Sequence, residues 1–149
     1  MALNFPDAPT VGQFFPQPPL NNTPVWQWNG TTWTWTGWGT AQTGVIPVNS
    51  QSANYILVLK DAGYCIYHPL TDNNARTFTI PANASVAYPQ GTVISFVNLI
   101  NTVTIAITTD TMYLAGTGAT GSRTLAAYGC CTALKVDTTT WIVSGTGLT

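Results

Sequence analysis

Residues 92–108, "TVISFVNLINTVTIAIT", contain two short apolar or alternating runs, 92–98 and 102–108, of the kind that form buried or half-buried strands. Similar runs extend in both directions. Toward the N-terminus lie "RTFTI" (76–80), "YCIY" (64–67) and "NYILVLK" (54–60); toward the C-terminus lie "MYLA" (112–115), "RTLAA" (123–127), "CTALKV" (131–136) and "WIVSG" (141–145). Turn residues separate them at intervals of about 8–12 residues, the spacing of an all-β sandwich or barrel. "DAG" at 61–63 supplies a glycine for positive φ, "TDNNA" at 71–75 is rich in Asx residues, and "PANASVAYPQG" at 81–91 holds two prolines and ends in Gly. The runs predict an all-β fold, with residues 50–149 forming an antiparallel two-sheet sandwich or jelly-roll-like domain.

The chain changes character before residue 50. Residues 1–24 hold six of the ten prolines, and residues 1–59 hold one charged side chain, Asp7. That is too little charge for a solvated disordered tail, so residues 1–24 are expected to form an extended arm that lies on a surface. Residues 25–49 follow as a Trp-rich hairpin and linker. "VWQWNGTTWTWTGW" (25–38) carries five of the six tryptophans around Asn29-Gly30, a strong hairpin signal. A two-residue turn there would pair Trp28 with Thr31 and Trp26 with Trp33, placing Trp26, Trp28, Trp33 and Trp35 on one face. Such an aromatic plate exceeds what a monomer leaves bare. The body of the same chain, a neighbouring subunit or a stacked sugar could cover it.

Composition bounds the function. Charged residues are 6% of the chain, against about 25% in an average domain, and every acidic residue is Asp. A net charge of -1 offers no basic footprint for nucleic acid and no polybasic anchor for lipid. No apolar run approaches the roughly 20 residues that span a bilayer, and the start lacks a charged, apolar signal segment. No nucleic-acid or membrane partner is expected.

Chemistry-bearing residues are sparse. Cys65, Cys130 and Cys131 fit reduced, buried thiols better than a disulfide framework, with the adjacent pair facing opposite ways on a strand. "CIYH" (65–68) joined to the vicinal pair is the sharpest metal reading, but it lacks a recognised second half, so neither metal nor cofactor is expected. "GTGATG" (116–121) has the form of a dinucleotide loop without the strand–helix setting that loop requires, and reads as a surface loop. The single histidine, His68, has no nucleophile signature beside it, and the spacing of the five Asp residues favours no carboxylate pair. The expectation is a non-enzymatic protein.

The order "FPDAPTVGQFFPQPP" then "WQWNGTTWTW" resembles the start of many tailed-bacteriophage virion proteins. The second half is similar to β-rich domains of phage tail fibres, head fibres and capsid-decoration proteins, through Asp61-Ala62-Gly63, Phe78-Thr79-Ile80-Pro81, Gly91-Thr92-Val93-Ile94 and Trp141-Ile142-Val143-Ser144-Gly145. The resemblance implies a virion structural protein assembled in the host cytoplasm. The absence of a heptad shaft, collagen-like repeat or long β-helical stretch favours a head-decoration (cement) role over a tail fibre. On that reading Phe5, Phe14, Phe15 and Leu20 of the arm contact the major capsid protein or other virion subunits, and a homo-trimer or homo-dimer multiplies weak contacts. A tail-tip adhesin, with loops 81–91 and 115–122 and Tyr88 or Tyr113 facing a host glycan, and a minor tail or baseplate component are the alternatives.

Overall fold

The computed structural model describes residues 4–16, 24–38 and 46–149. Clustering of contacts divides the chain into two compact units, Met1–Val45 and Ile46–Thr149.

Three strands form the sheet of the first unit: β1 (Phe14–Phe15), β2 (Pro24–Trp28) and β3 (Trp33–Trp38), ordered β1-β2-β3 and antiparallel throughout. The loop between β2 and β3 differs from the expected two-residue turn. Trp28 pairs with Trp33, Gln27 with Thr34 and Trp26 with Trp35, so four residues, 29–32, make the connection. Asn29 is the reason: its side-chain Oδ1 accepts hydrogen bonds from the backbone N–H groups of Thr31 and Thr32, both at 2.9 Å. This Asx turn competes with the tight hairpin and widens the loop. Trp26 therefore opposes Trp35 rather than Trp33, yet cross-strand pairing and the two-residue period still put Trp26, Trp28, Trp33 and Trp35 on one face.

The second unit is all-β but not an antiparallel sandwich. Its strands are β4 (Val48–Ser50), β5 (Tyr55–Ile56), β6 (Cys65–His68), β7 (Arg76–Ile80), β8 (Val93–Asn98), β9 (Val103–Ile107), β10 (Thr111–Leu114), β11 (Arg123–Asp137) and β12 (Thr140–Leu148). From β4 to β9, successive strands alternate between two wings. One wing is β4-β6-β8 and the other β5-β7-β9, with every pair inside a wing parallel. This is a short solenoid: each coil gives one strand to each wing and stacks on the coil before it.

β11 closes the last coil. Its first residues, Arg123 to Leu125, pair antiparallel with β9, and residues Gly129 to Leu134 pair antiparallel with β8, so one 15-residue strand spans both wings. The bend between falls at a register shift, where Tyr128 has φ 60°. β12 runs back antiparallel to β11, and β10 joins it in parallel.

Side chains from both wings meet inside. Ile66, Ile94 and Phe96 of one wing and Phe78, Ile80, Val103 and Ile105 of the other are fully buried, and Leu125, Ala133, Trp141 and Val143 of the closing strands complete the core. Period-two alternation sets this division: in β8, Ile94, Phe96 and Asn98 point in, while Val93 is exposed. Gly145 is required by the closure. A Cβ there would run into the backbone of Cys130 and Cys131, which β12 approaches too closely for any side chain.

Candidate functional site

The first unit offers an aromatic cluster. Phe5 stacks on Trp33 with ring centroids 5.1 Å apart and planes 17° apart, meets Trp26 edge-on at 5.5 Å, and lies 4.9 Å from Phe15. Phe15 also meets Trp33 at 6.1 Å, and Trp28 lies 5.7 Å from Trp33. Offset and edge-on geometries satisfy the ring quadrupoles, and each such pair contributes about 0.5–1.5 kcal/mol beyond its buried area.

These contacts give described residues of the expected arm a surface within their own unit. Phe5 and Phe15 already pack on the tryptophan face of their own unit, and β1 pairs with β2 despite the flanking prolines. Proline removes a ladder donor only where it sits, and Phe14 and Phe15 keep theirs. Among the described residues of this unit, three large apolar side chains are left exposed. Phe14 opposes Gln27 on the face away from Phe15 and is 39% exposed; Trp35 is 57% exposed and Val11 76%. Leu20 lies outside the described residues.

The second unit carries a groove of about 490 Å³ at the C-terminal ends of β5, β7 and β9, lined by Ile56, Thr79, Pro81, Ala82, Ser85, Thr108 and Thr109. Its lining combines Ile56, Pro81 and Ala82 with the hydroxyl-bearing Thr79, Ser85, Thr108 and Thr109. Of the tyrosines considered for ligand contact, Tyr88 is buried and its hydroxyl donates to the Val58 carbonyl at 2.6 Å; burial pushes that phenol well above its ordinary range. Tyr113 is 39% exposed on β10.

Buried polar residues brace the coils. Asp61, in a 3-10 turn over Leu59–Asp61, is fully buried and accepts from Asn49 Nδ2 at 2.9 Å, the Tyr55 hydroxyl at 2.9 Å and the Val58 N–H at 2.8 Å. Burial, then the bond to Asp61, raises the Tyr55 phenol. Lys135, 1% exposed, donates to Asn83 Oδ1 at 2.6 Å and to the Tyr88 carbonyl at 2.9 Å, with its ammonium 5.7 Å from the Trp141 ring centre. Asp72 is bound by Arg76 through both oxygens, at 2.6 and 2.8 Å, and lies 3.1 Å from the buried ring of His68. The Arg76 guanidinium, then the Asn74 amide, hold the Asp72 carboxyl far below the usual carboxylate range, and Asp72 in turn raises Arg76.

The cysteines do not converge. Cys131 is buried, which pushes its thiol up to about 12, Cys65 is half-buried with its thiol also raised by burial, and Cys130 is exposed, correcting the expectation of three buried thiols. Being neighbours on β11, Cys130 and Cys131 must face opposite ways. The same parity separates Cys65 from His68 on β6, where the burial alternates. Among the described residues no group of three or more His, Cys, Asp or Glu side chains comes together as metal ligands, and no helix is long and apolar enough to cross a membrane. "GTGATG" leads into β11 rather than a helix, so it is not a dinucleotide loop.

Sequence reasoning missed the bracing set. Asp61 and Asp72 were legible as turn residues, but their burial depends on coil stacking that no local signal encodes. Searches against known protein families, curated proteins and solved structures return no match for the chain.

Proposed function

We propose that this chain is a non-enzymatic structural protein of a tailed-bacteriophage virion, a capsid decoration protein that binds the outside of the head and stabilises it. The observation that carries the reading is the first unit. A short, nearly uncharged segment uses its own Phe5 and Phe15 as core and leaves Phe14, Trp35 and Val11 exposed. Aromatic side chains of this kind anchor interfaces, and a surface with few charges binds with little dependence on salt. The arm thus works as part of a folded attachment knob, with Phe14 and Trp35 as contacts and Phe5 and Phe15 as their support. Major capsid protein is the partner, and a homo-trimer or homo-dimer would join several weak knobs into one strong attachment.

The test is binding of purified protein to virions stripped of it. Trp35→Ala with Phe14→Ala should weaken binding at least tenfold, about 1.4 kcal/mol, while the protein stays folded. Unchanged binding would move the contact elsewhere. The adhesin reading has one observation in its favour, the groove beside loop 81–91, since loops inserted on one side of a solenoid commonly form its binding face. Attachment to host cells without attachment to heads would select it.

A further inference from the structure

His68 is fully buried on β6, and both of its ring nitrogens have partners. Nδ1 lies 2.8 Å from Asn98 Oδ1. That amide cannot be turned round, because its Nδ2 faces three carbonyls, those of Asn101 at 3.1 Å and of Leu125 and Ala126 at 3.0 Å each. Its Oδ1 also accepts from the Ile100 N–H at 3.2 Å. Asn98 therefore offers the ring an acceptor, and Nδ1 must donate.

The other nitrogen meets a second acceptor. Nε2 lies 3.1 Å from Asp72 Oδ2, and this carboxylate is kept ionised by a two-pronged Arg76 and by Asn74. An unprotonated Nε2 would set a lone pair against a carboxylate oxygen. The Phe78 ring of β7 meets the imidazole edge-on at 6.3 Å and carries no charge. Asp72 from the turn after β6, Asn98 from β8 and, through Asp72, Arg76 from β7 are the polar groups tied to the ring.

We propose that His68 donates from both ring nitrogens, to Asn98 Oδ1 and to Asp72 Oδ2, and so forms a latch that ties the 69–75 turn through Asn98 to the bend of β11. The carbonyls that Asn98 caps, those of Leu125 and Ala126, lie where β11 begins its bend from one wing to the other. Losing either proton turns one contact into two facing lone pairs and frees the amide that holds the bend. This inference does not depend on the virion reading.

Nitrogen NMR of the His68 ring in the full chain at about pH 7 is the test. The latch requires a directly bonded proton on both nitrogens; a bare nitrogen on either overturns it. Asp72→Asn supplies the second arm, since its amide can donate to Nε2. In that variant Nε2 should lose its proton while Nδ1 keeps its own. An Nε2 that keeps its proton in the variant would contradict the latch, and if the variant does not fold, the native ring spectrum decides alone.

Discussion

The two units solve the problem of a charge-poor sequence in different ways. In the first, a three-stranded sheet gathers flat rings from residues 5–33 on one face, and stacking between near neighbours supplies the cohesion. In the second, aliphatic and aromatic side chains are buried between two wings that only coil stacking brings together, and buried Asp61, Lys135, Asp72 and His68 are fastened by named partners. The lesson concerns tolerance. An aromatic face can lose a ring and keep its shape, whereas a closed coil cannot lose a buried partner without stranding another.

The contrast can be broken most easily at Trp141. Trp141→Ala removes the largest fully buried side chain and the ring beneath Lys135, and should cost the second unit about 3–5 kcal/mol in denaturant unfolding. A loss below about 1 kcal/mol would show that the closing strands do not seal the core. Asp61→Ala comes next. It strands the donors of Asn49, Tyr55 and Val58, and the same measurement should show a loss of about 3 kcal/mol. Asp61→Asn, which keeps one acceptor oxygen, should lose less.

The first unit should respond more mildly. Phe5→Ala deletes the ring stacked on Trp33 and should cost about 1–2 kcal/mol, visible as altered indole bands in near-ultraviolet circular dichroism. The thermal transition of the second unit should stay in place; a joint shift would mean the two units unfold as one. Smallest of all, Trp35→Ala should change stability by less than about 0.5 kcal/mol, because the ring is 57% exposed. Its effect belongs to partner binding.

Much of the strand content was legible. "RTFTI" at 76–80 matches β7 residue for residue, and "TVISFVN" and "TVTIAIT" contain β8 and β9. The coiling was not legible, because the coils are unequal. Val48 stands beside Cys65, 17 residues on, and Cys65 beside Ser95, 30 residues on. No fixed period betrays such a solenoid. β4 was overlooked because three residues, "VNS", give no alternation to read. "RTLAA" and "CTALKV" read as two strands, but with Tyr128 and Gly129 between them they form one bent strand. At the aromatic face, sequence grouped the four tryptophans correctly, but the packing of Phe5 and Phe15 on them depends on β1 pairing, which the prolines concealed.

Direct imaging of the virion bears hardest on the proposal that the aromatic unit attaches the chain to the head. Cryo-electron microscopy of purified virions containing the chain should show regular copies across the head, with Phe14 and Trp35 of each first unit against the major capsid protein. A few copies confined to the tail, or copies on the head held through the coils while the aromatic unit stands free, would contradict it.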